Sequence, residues 1–219
     1  MKDLYIVGAG GFGRTVAQIV REINQDREEF NICGFVDDNP SEKNNSLAQA
    51  LDIPIIGSTD TLAEKHGYFV IASGNGATRK TLAAKIKPFG VSPATLVHPT
   101  AQVGSTASIG PGSILSLGAI VTTEVSTGAF CLHNIYSLVS HDCVLGDFVT
   151  LSPFAAMLGG STCGDGAWLS TRSTLSVNTR LGTNSVLGAH ALALKDVPDD
   201  QIAKGTPARW ETIPPAEAK

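Results

Sequence analysis

From Val103 onward the chain counts in sixes. The series Val103, Ile109, Leu115, Val121, continued in steps of six to Ala193, has sixteen members, and twelve are Val, Ile, Leu or Met. Four residues beyond each lies a second series, Ala107, Ser113, Ala119, Val125 and onward to Val197, whose members are all small. Glycine often follows the first series, as at Gly104, Gly110, Gly128, Gly146, Gly164, Gly182 and Gly188. An α-helix does not explain a period of six, because its turn holds 3.6 residues. Hairpins alternate at two and vary in loop length. One large apolar and one small residue per hexad fit a triangular coil. Each hexad is a flat face, its large residue pointing inward and its small residue near the corner. Three hexads close an 18-residue turn, and sixteen give about five turns, stacked at ~4.8 Å per strand into a prism roughly 25 Å tall. Backbone groups pair between coils, so only the end coils expose strand edges. Only six Asp, Glu, Lys or Arg residues fall between His98 and Leu194, as a chain of such faces requires.

The first 97 residues follow another rule. Leu4-Tyr5-Ile6-Val7 reads as a short strand, Gly8-Ala9-Gly10-Gly11-Phe12-Gly13 as a turn, and Thr15–Ile23 has helical spacing. Ile32–Val36 is a second strand, ending at Asp37-Asp38. Phe69–Ala72 is a third, ending at Ser73-Gly74-Asn75-Gly76, with a helix through Thr78–Ile86. Alternating strands and helices imply a parallel α/β sheet. The glycines satisfy G-x-G-x-x-G between a strand and a helix, where backbone can approach a phosphate at a helix N-terminus. Acids at the next strand end are placed to meet a ribose or base. Fewer than 100 residues accommodate one mononucleotide-sized unit rather than a full dinucleotide fold.

Composition narrows the function classes. The net charge is −4 with no basic cluster, so nucleic acid is not an expected partner. No apolar run reaches the ~18 residues needed to span a bilayer, and the N-terminus does not read as a signal peptide. A cytoplasmic protein is expected. Cys33, Cys131, Cys143 and Cys163 form no C-x-x-C pair, and three fall at repeat positions that favour small or apolar side chains, so buried thiols are expected.

A nucleotide-binding-like segment with Gly-Ala-Gly-Gly-x-Gly, Val-Asp-Asp and Gly-Asn, followed by hexads, resembles the NeuD/PglD-type bacterial sugar acetyltransferases over nearly the whole chain. These belong to the hexapeptide-repeat enzymes. The resemblance implies a small Rossmann-like domain over residues 1–97 that holds a nucleotide-linked sugar. It also implies a left-handed parallel β-helix over 98–198 and a C-terminal tail over 199–219. It further implies acetyl-CoA as co-substrate, no metal, a homotrimer with active sites between subunits, and a role in polysaccharide biosynthesis. Asp37 and Asp38 would meet the base or ribose, while Gly10, Gly11, Gly74 and Asn75 would line the same site. These proteins often carry His where this chain has Phe12, which leaves the acceptor undefined.

Acetyl transfer needs a general base, an oxyanion donor and a docked acceptor. Histidine suits the first task, and an adjacent carboxylate orients its ring. His141-Asp142 is such a pair, and the hexad register puts it at a corner. It matches the catalytic His-acid pair of the family. By the same resemblance Asn134 hydrogen-bonds across the cleft, and the Gly159 N–H meets the thioester oxygen. Gly205-Thr206-Pro207-Ala208-Arg209 resembles the family's closing loop, so Lys195, Lys204 and Arg209 are candidates to offset CoA phosphates. His133 falls on the inward series, as a buried residue or a distortion of register. His98 is expected to be structural, His66 carries no motif, and His190 is expected to be exposed. Two readings compete with acetyl transfer. A zinc hydro-lyase of the γ-carbonic anhydrase type needs three imidazoles, and a non-catalytic scaffold would bind nucleotide sugars without turnover.

Overall fold

The computed structural model describes residues 1–212 and divides into two compact units, Met1–Pro99 and Thr100 to the end. Residues 213–219, the last part of the expected tail, lie outside the described residues.

The first unit is a parallel sheet with helices. Its strands are β1 (Lys2–Val7), β2 (Phe30–Val36), β3 (Tyr68–Ile71) and β4 (Ser92–Pro93), in the spatial order β2-β1-β3-β4. The central strand β1 buries Leu4, Tyr5, Ile6 and Val7 in succession, as a strand covered on both faces must. Helix α1 (Gly11–Asp26) packs Val16, Ala17, Ile19, Val20 and Ile23 inward, an apolar stripe at helical spacing. Helix α2 (Glu42–Gln49) buries only Ala48, so no apolar period announces it. Ser41 caps that helix by accepting from Asn44 N at 3.2 Å. Helix α3 (Gly76–Ile86) follows β3. The chain leaves β1 for β2 and returns to β3 on the other side of β1. That reversal opens a crevice at the carboxyl ends of β1 and β3.

The second unit is a left-handed β-helix built from two-residue strands. Each strand pairs in parallel with its equivalent one coil later, as Leu132 pairs with Thr150 and His133 with Leu151. Three sheets result, one per face of the prism. The inward series is buried from Leu115 to Ala193, and the small series from Ser113 to Val197. His133 is fully buried between Leu115 and Leu151 with the pairing unbroken on both sides, so it occupies an ordinary inward position without a slip of register.

The corners obey a rule that the hydrophobic pattern does not reveal. At every sixth residue from Gly112 to His190 the backbone turns through the left-handed region, with φ between 52° and 74°. Ten of those fourteen positions are not glycine, among them Phe130, Tyr136, Asp142, Phe148, Phe154 and Asn178. Non-glycine residues meet a cost of roughly 1 kcal/mol or more there. Each conformation is held from the neighbouring coil. From Phe130 onward the N–H of the corner residue donates to the carbonyl just before the equivalent corner of the preceding coil. Asp142 N donates in this way to Thr123 O, and Gly160 N to His141 O. Side chains at one corner also stack from coil to coil. Phe130 lies on Phe148 at 5.4 Å, Tyr136 on Phe154 at 5.5 Å, and the Arg172 guanidinium 5.4 Å over the Phe154 ring.

The ends are closed by side chains. In the first coil the hydroxyls of Thr100 and Thr106 accept the N–H of Gly118 and Glu124, both at 3.0 Å, in place of missing carbonyls. In the last, Asp196 and Asp199 accept from Arg180 N and Thr183 N. Strand Gln201–Lys204 pairs with Val186–Leu187 and folds back onto Arg209–Thr212, so the edge of one face ends in a hairpin.

Candidate active site

His141 and Asp142 sit on the corner that follows the strand Leu138–Val139. The imidazole Nδ1 lies 2.7 Å from Asp142 Oδ2, and both side chains are 63% exposed. Accessibility is what a base needs if it is to reach a second molecule. The left-handed turn at Asp142 brings the carboxylate back toward the ring that precedes it. In the tautomer that carries its proton on Nδ1, that proton would face the carboxylate and leave Nε2 with its lone pair.

The register fixes what lies beside this pair. Val139 pairs with Met157 and Met157 with Leu175. One coil on from His141-Asp142 therefore come Gly159 and Gly160, and the next coil brings Val177 and Asn178. Leu175 pairs with Ala193, which puts Lys195 over Val177. His141 thus stands in the column Thr123, His141, Gly159, Val177, Lys195. The ring lies against Gly159. A Cβ on that glycine would stand 2.6 Å from His141 Cε1 and 2.8 Å from Nε2. Gly159 O accepts from Asn178 N at 3.0 Å, while Gly159 N–H has no hydrogen-bond partner among the described residues. An N–H without a partner among the described residues thus belongs to the glycine against which the exposed imidazole lies.

Asn134 stands at another corner, just before Tyr136, with its Oδ1 accepting from Ile135 N at 2.8 Å. Within one chain a full face of the prism separates it from His141. Lys195 is exposed and forms no ion pair among the described residues. Lys204 pairs with Glu211 at 3.2 Å, and Arg209 donates to the carbonyl of Ala208. The Gly205–Ala208 loop docks on the last coil, where Leu192 N donates to Gly205 O, Ala208 N to Leu192 O, and Thr206 Oγ1 to His190 O. His190 and His66 are exposed, and buried His98 sets its ring against the Glu22 carboxylate. Among the described residues no group of three or more His, Cys, Asp or Glu can hold a metal ion. His133 points into the prism and His141 out of it. The hydro-lyase reading has no ligand set there.

In the first unit the candidates gather at the carboxyl ends of the strands. Gly10 caps α1, Gly11 opens it, and half-buried Phe12 is its second residue. A Cβ on Gly10 or Gly74 would meet nothing within 4 Å, so the backbone is open at both. Gly13 is different. A Cβ there would fall 2.0 Å from Gly8 O, so this glycine lets α1 pack on the end of β1. Asp37 accepts from Ala9 N at 2.8 Å and from Asn39 N at 3.0 Å, which ties the glycine turn to β2. Asp38 accepts from the Thr59 N–H and hydroxyl and pairs with Lys85 at 3.2 Å. Burial works against its charge, but the Thr59 bonds and the Lys85 ammonium outweigh it and hold the carboxyl below the usual range. Asn75 caps α3 by accepting from Thr78 N.

Two arginines escape sequence reading. Arg14 donates to Ala9 O and Asn44 Oδ1, and buried Arg79 donates to the carbonyls of Ser73 and Gly74. Each steadies one of the two open loops. No motif marks them, because their role depends on carbonyls that only the fold brings near.

Residues 3–86 match the family model described as the PglD N-terminal domain. The GDP-perosamine N-acetyltransferase of Escherichia coli O157:H7 is 32% identical over 175 residues, covering 79% of this chain and 78% of that protein. The chain belongs to the PglD-type sugar acetyltransferases. Solved structures agree with this membership. PerB of Caulobacter crescentus, solved in complex with CoA and GDP-perosamine, superposes with a TM-score of 0.85 at 25% identity, over 95% of this chain and 97% of that one. The acetyltransferase domain of PglB from Neisseria gonorrhoeae, in complex with acetyl coenzyme A, gives 0.82 at 29% identity over 94% and 98%. For this sugar acetyltransferase the expected fold is the fold found: the α/β unit read from the first 97 residues, and the β-helix read from the hexads with the left-handedness that the resemblance implies. No helix among its described residues is long and apolar enough to cross a membrane.

Proposed function

We propose that this acetyltransferase moves the acetyl group of acetyl-CoA to the amine of a nucleotide-linked sugar, with His141 as general base. Nε2 takes a proton from the attacking amine as its nitrogen bonds to the thioester carbon. Asp142 accepts the Nδ1–H and stabilises the imidazolium. The Gly159 N–H donates to the carbonyl oxygen as it gains charge. As the C–S bond breaks, the imidazolium returns its proton to the leaving sulfur, and an amide remains. The reading rests on one observation: an exposed imidazole, backed by a carboxylate at 2.7 Å, lies against a glycine whose N–H has no partner among the described residues. The amine is preferred to a hydroxyl because the relative of 32% identity is an N-acetyltransferase.

The sugar nucleotide is assigned to the crevice at the ends of β1 and β3. Gly10, Gly11, Phe12, Gly74 and Asn75 would line it, with Asp37 and Asp38 shaping its rim. The diphosphate of the donor is assigned to Lys195, Lys204 and Arg209. Lys195 is supported by its place in the His141 column, two coils beyond Gly159. Asn134 reaches an active site only from a second copy, so the working enzyme is proposed to be a homotrimer in the cytoplasm. Exposed Tyr136 and Phe154, stacked on the corner next to Asn134, supply surface for that contact. His141→Ala is expected to lower kcat by about 10²–10⁴ while leaving the affinity for CoA unchanged. Steady-state kinetics with a thiol-release assay and titration calorimetry measure the two quantities. An unchanged kcat removes His141 from the chemistry. No thiol release with UDP-, GDP-, dTDP- or CMP-linked amino sugars favours a binding scaffold instead.

A further inference from the structure

The paired glycines leave a notch in the corner that carries His141. Coils before and after fill this place with His141-Asp142 and Val177-Asn178, whereas Gly159-Gly160 contributes backbone alone. The backbone across the notch is fixed, because Gly160 N–H is spent on His141 O and Gly159 O on Asn178 N. The far wall is Asn178. Its Oδ1 sits 2.3 Å from the point a Gly160 Cβ would occupy, so the carboxamide folds over the glycine toward the notch.

A left-handed backbone by itself favours asparagine, and Asn178 has φ 53°. The next corner supplies a comparison. Asn184, φ 54°, lies over Gly166 in the same way, but gives its Nδ2 to Asp200 at 3.2 Å. The carboxamide of Asn178 makes no hydrogen bond among the described residues. Backbone preference therefore explains the residue type at both corners and leaves the amide of Asn178 unspent.

We infer that the Asn178 carboxamide binds the acyl donor, giving an N–H to an amide carbonyl of its pantetheine arm. This rests on the proposal that the thioester meets Gly159. In an extended coenzyme A thioester the first amide nitrogen is two methylenes, about 4 Å, from the sulfur and its carbonyl carbon about 5 Å, which is close to the ~4.8 Å spacing of one coil. A thioester at the Gly159 level thus brings that amide to the Asn178 level, and the arm continues along the column toward Lys195. Exposed Val177, beside Asn178, covers the methylenes.

The test is Asn178→Gly, which keeps the left-handed turn without strain and removes only the carboxamide. Loss of one neutral hydrogen bond is expected to raise KM for acetyl-CoA and the calorimetric Kd for CoA about 3- to 10-fold. The value of kcat, KM for the sugar and the melting temperature stay the same. Adenosine 3′,5′-bisphosphate, which lacks the arm, is expected to bind wild type and variant equally. Equal Kd for CoA in the two proteins overturns the inference, as does equal weakening of CoA and the bisphosphate. Failure of the underlying function looks different: wild type then fails to bind CoA at all.

Discussion

At the scale of single residues, the same substitution has opposite consequences at two glycines. A Cβ on Gly110 would lie 2.2 Å from Gly128 O and 2.4 Å from its carbonyl carbon, so the clash is with backbone that the coil cannot move. The nearest atoms to a Cβ on Gly159 all belong to the exposed imidazole of His141, a side chain that can move. Gly110→Ala is expected to destabilise by about 1–3 kcal/mol, the usual cost of overpacking, read as a lower melting temperature. Gly159→Ala is expected to melt within about 2 °C of wild type and still to lose at least about tenfold in kcat, because the ring is pushed off the free N–H. A parallel loss of stability and activity in both variants would show that Gly159 serves the fold alone. The sequence displays His141-Asp142 as a pair and Gly159 by resemblance. Val177 and Asn178 are reached only by stepping on from coil to coil, a count that becomes meaningful once the coil is established.

At the scale of elements, the ends of β1, β2 and β3 are wired to one another. Asp37 holds the glycine turn, Asp38 holds Thr59 and Lys85, and Arg79 holds the loop after β3. The folded-state pKa of Asp38 is depressed, so its contribution is present above the ordinary aspartate range near pH 4 and disappears as the pH falls through the lowered value. The side chain is 44% exposed, which limits the contribution to about 1 kcal/mol or less. Thermal melts of Asp38→Asn and wild type are therefore expected to differ at pH 7 and to converge as the pH falls below the ordinary aspartate range. A difference that persists in acid would assign it to packing rather than charge. The strand ends and glycine turns of this unit are legible because apolar runs stop at acids and glycines. Helix α2 is not, since it is polar nearly all round and is held by a cap and one buried alanine.

At the scale of the molecule, the β-helix was legible because one face of each hexad must be apolar, and six residues return each time to the same place. The corner columns were not legible. Phe, Tyr, Asn, Asp, Glu, Arg and His share those positions with Gly, and what they share is a backbone angle rather than a polarity. Asn134 and His141 stand on different corners of one chain, which is why the proposed function needs a second copy. Sedimentation equilibrium is expected to give three times the 22.8 kDa chain mass, and a variant that sediments as a monomer is expected to have lost turnover. A catalytically competent monomer would separate Asn134 from the reaction.

Between Thr100 and Val197 the chain has something like a reading frame. Loss of a single residue before His141 would pass every later side chain to its neighbour's place. Aliphatics would turn onto corners, corner residues would enter the prism, and the imidazole would leave its glycine. Loss or gain of a whole coil would preserve every column and alter only the height of the stack. Such a protein can change its length by entire coils and almost never by ones, so the spacing between His141 and Lys195 is held as a whole number.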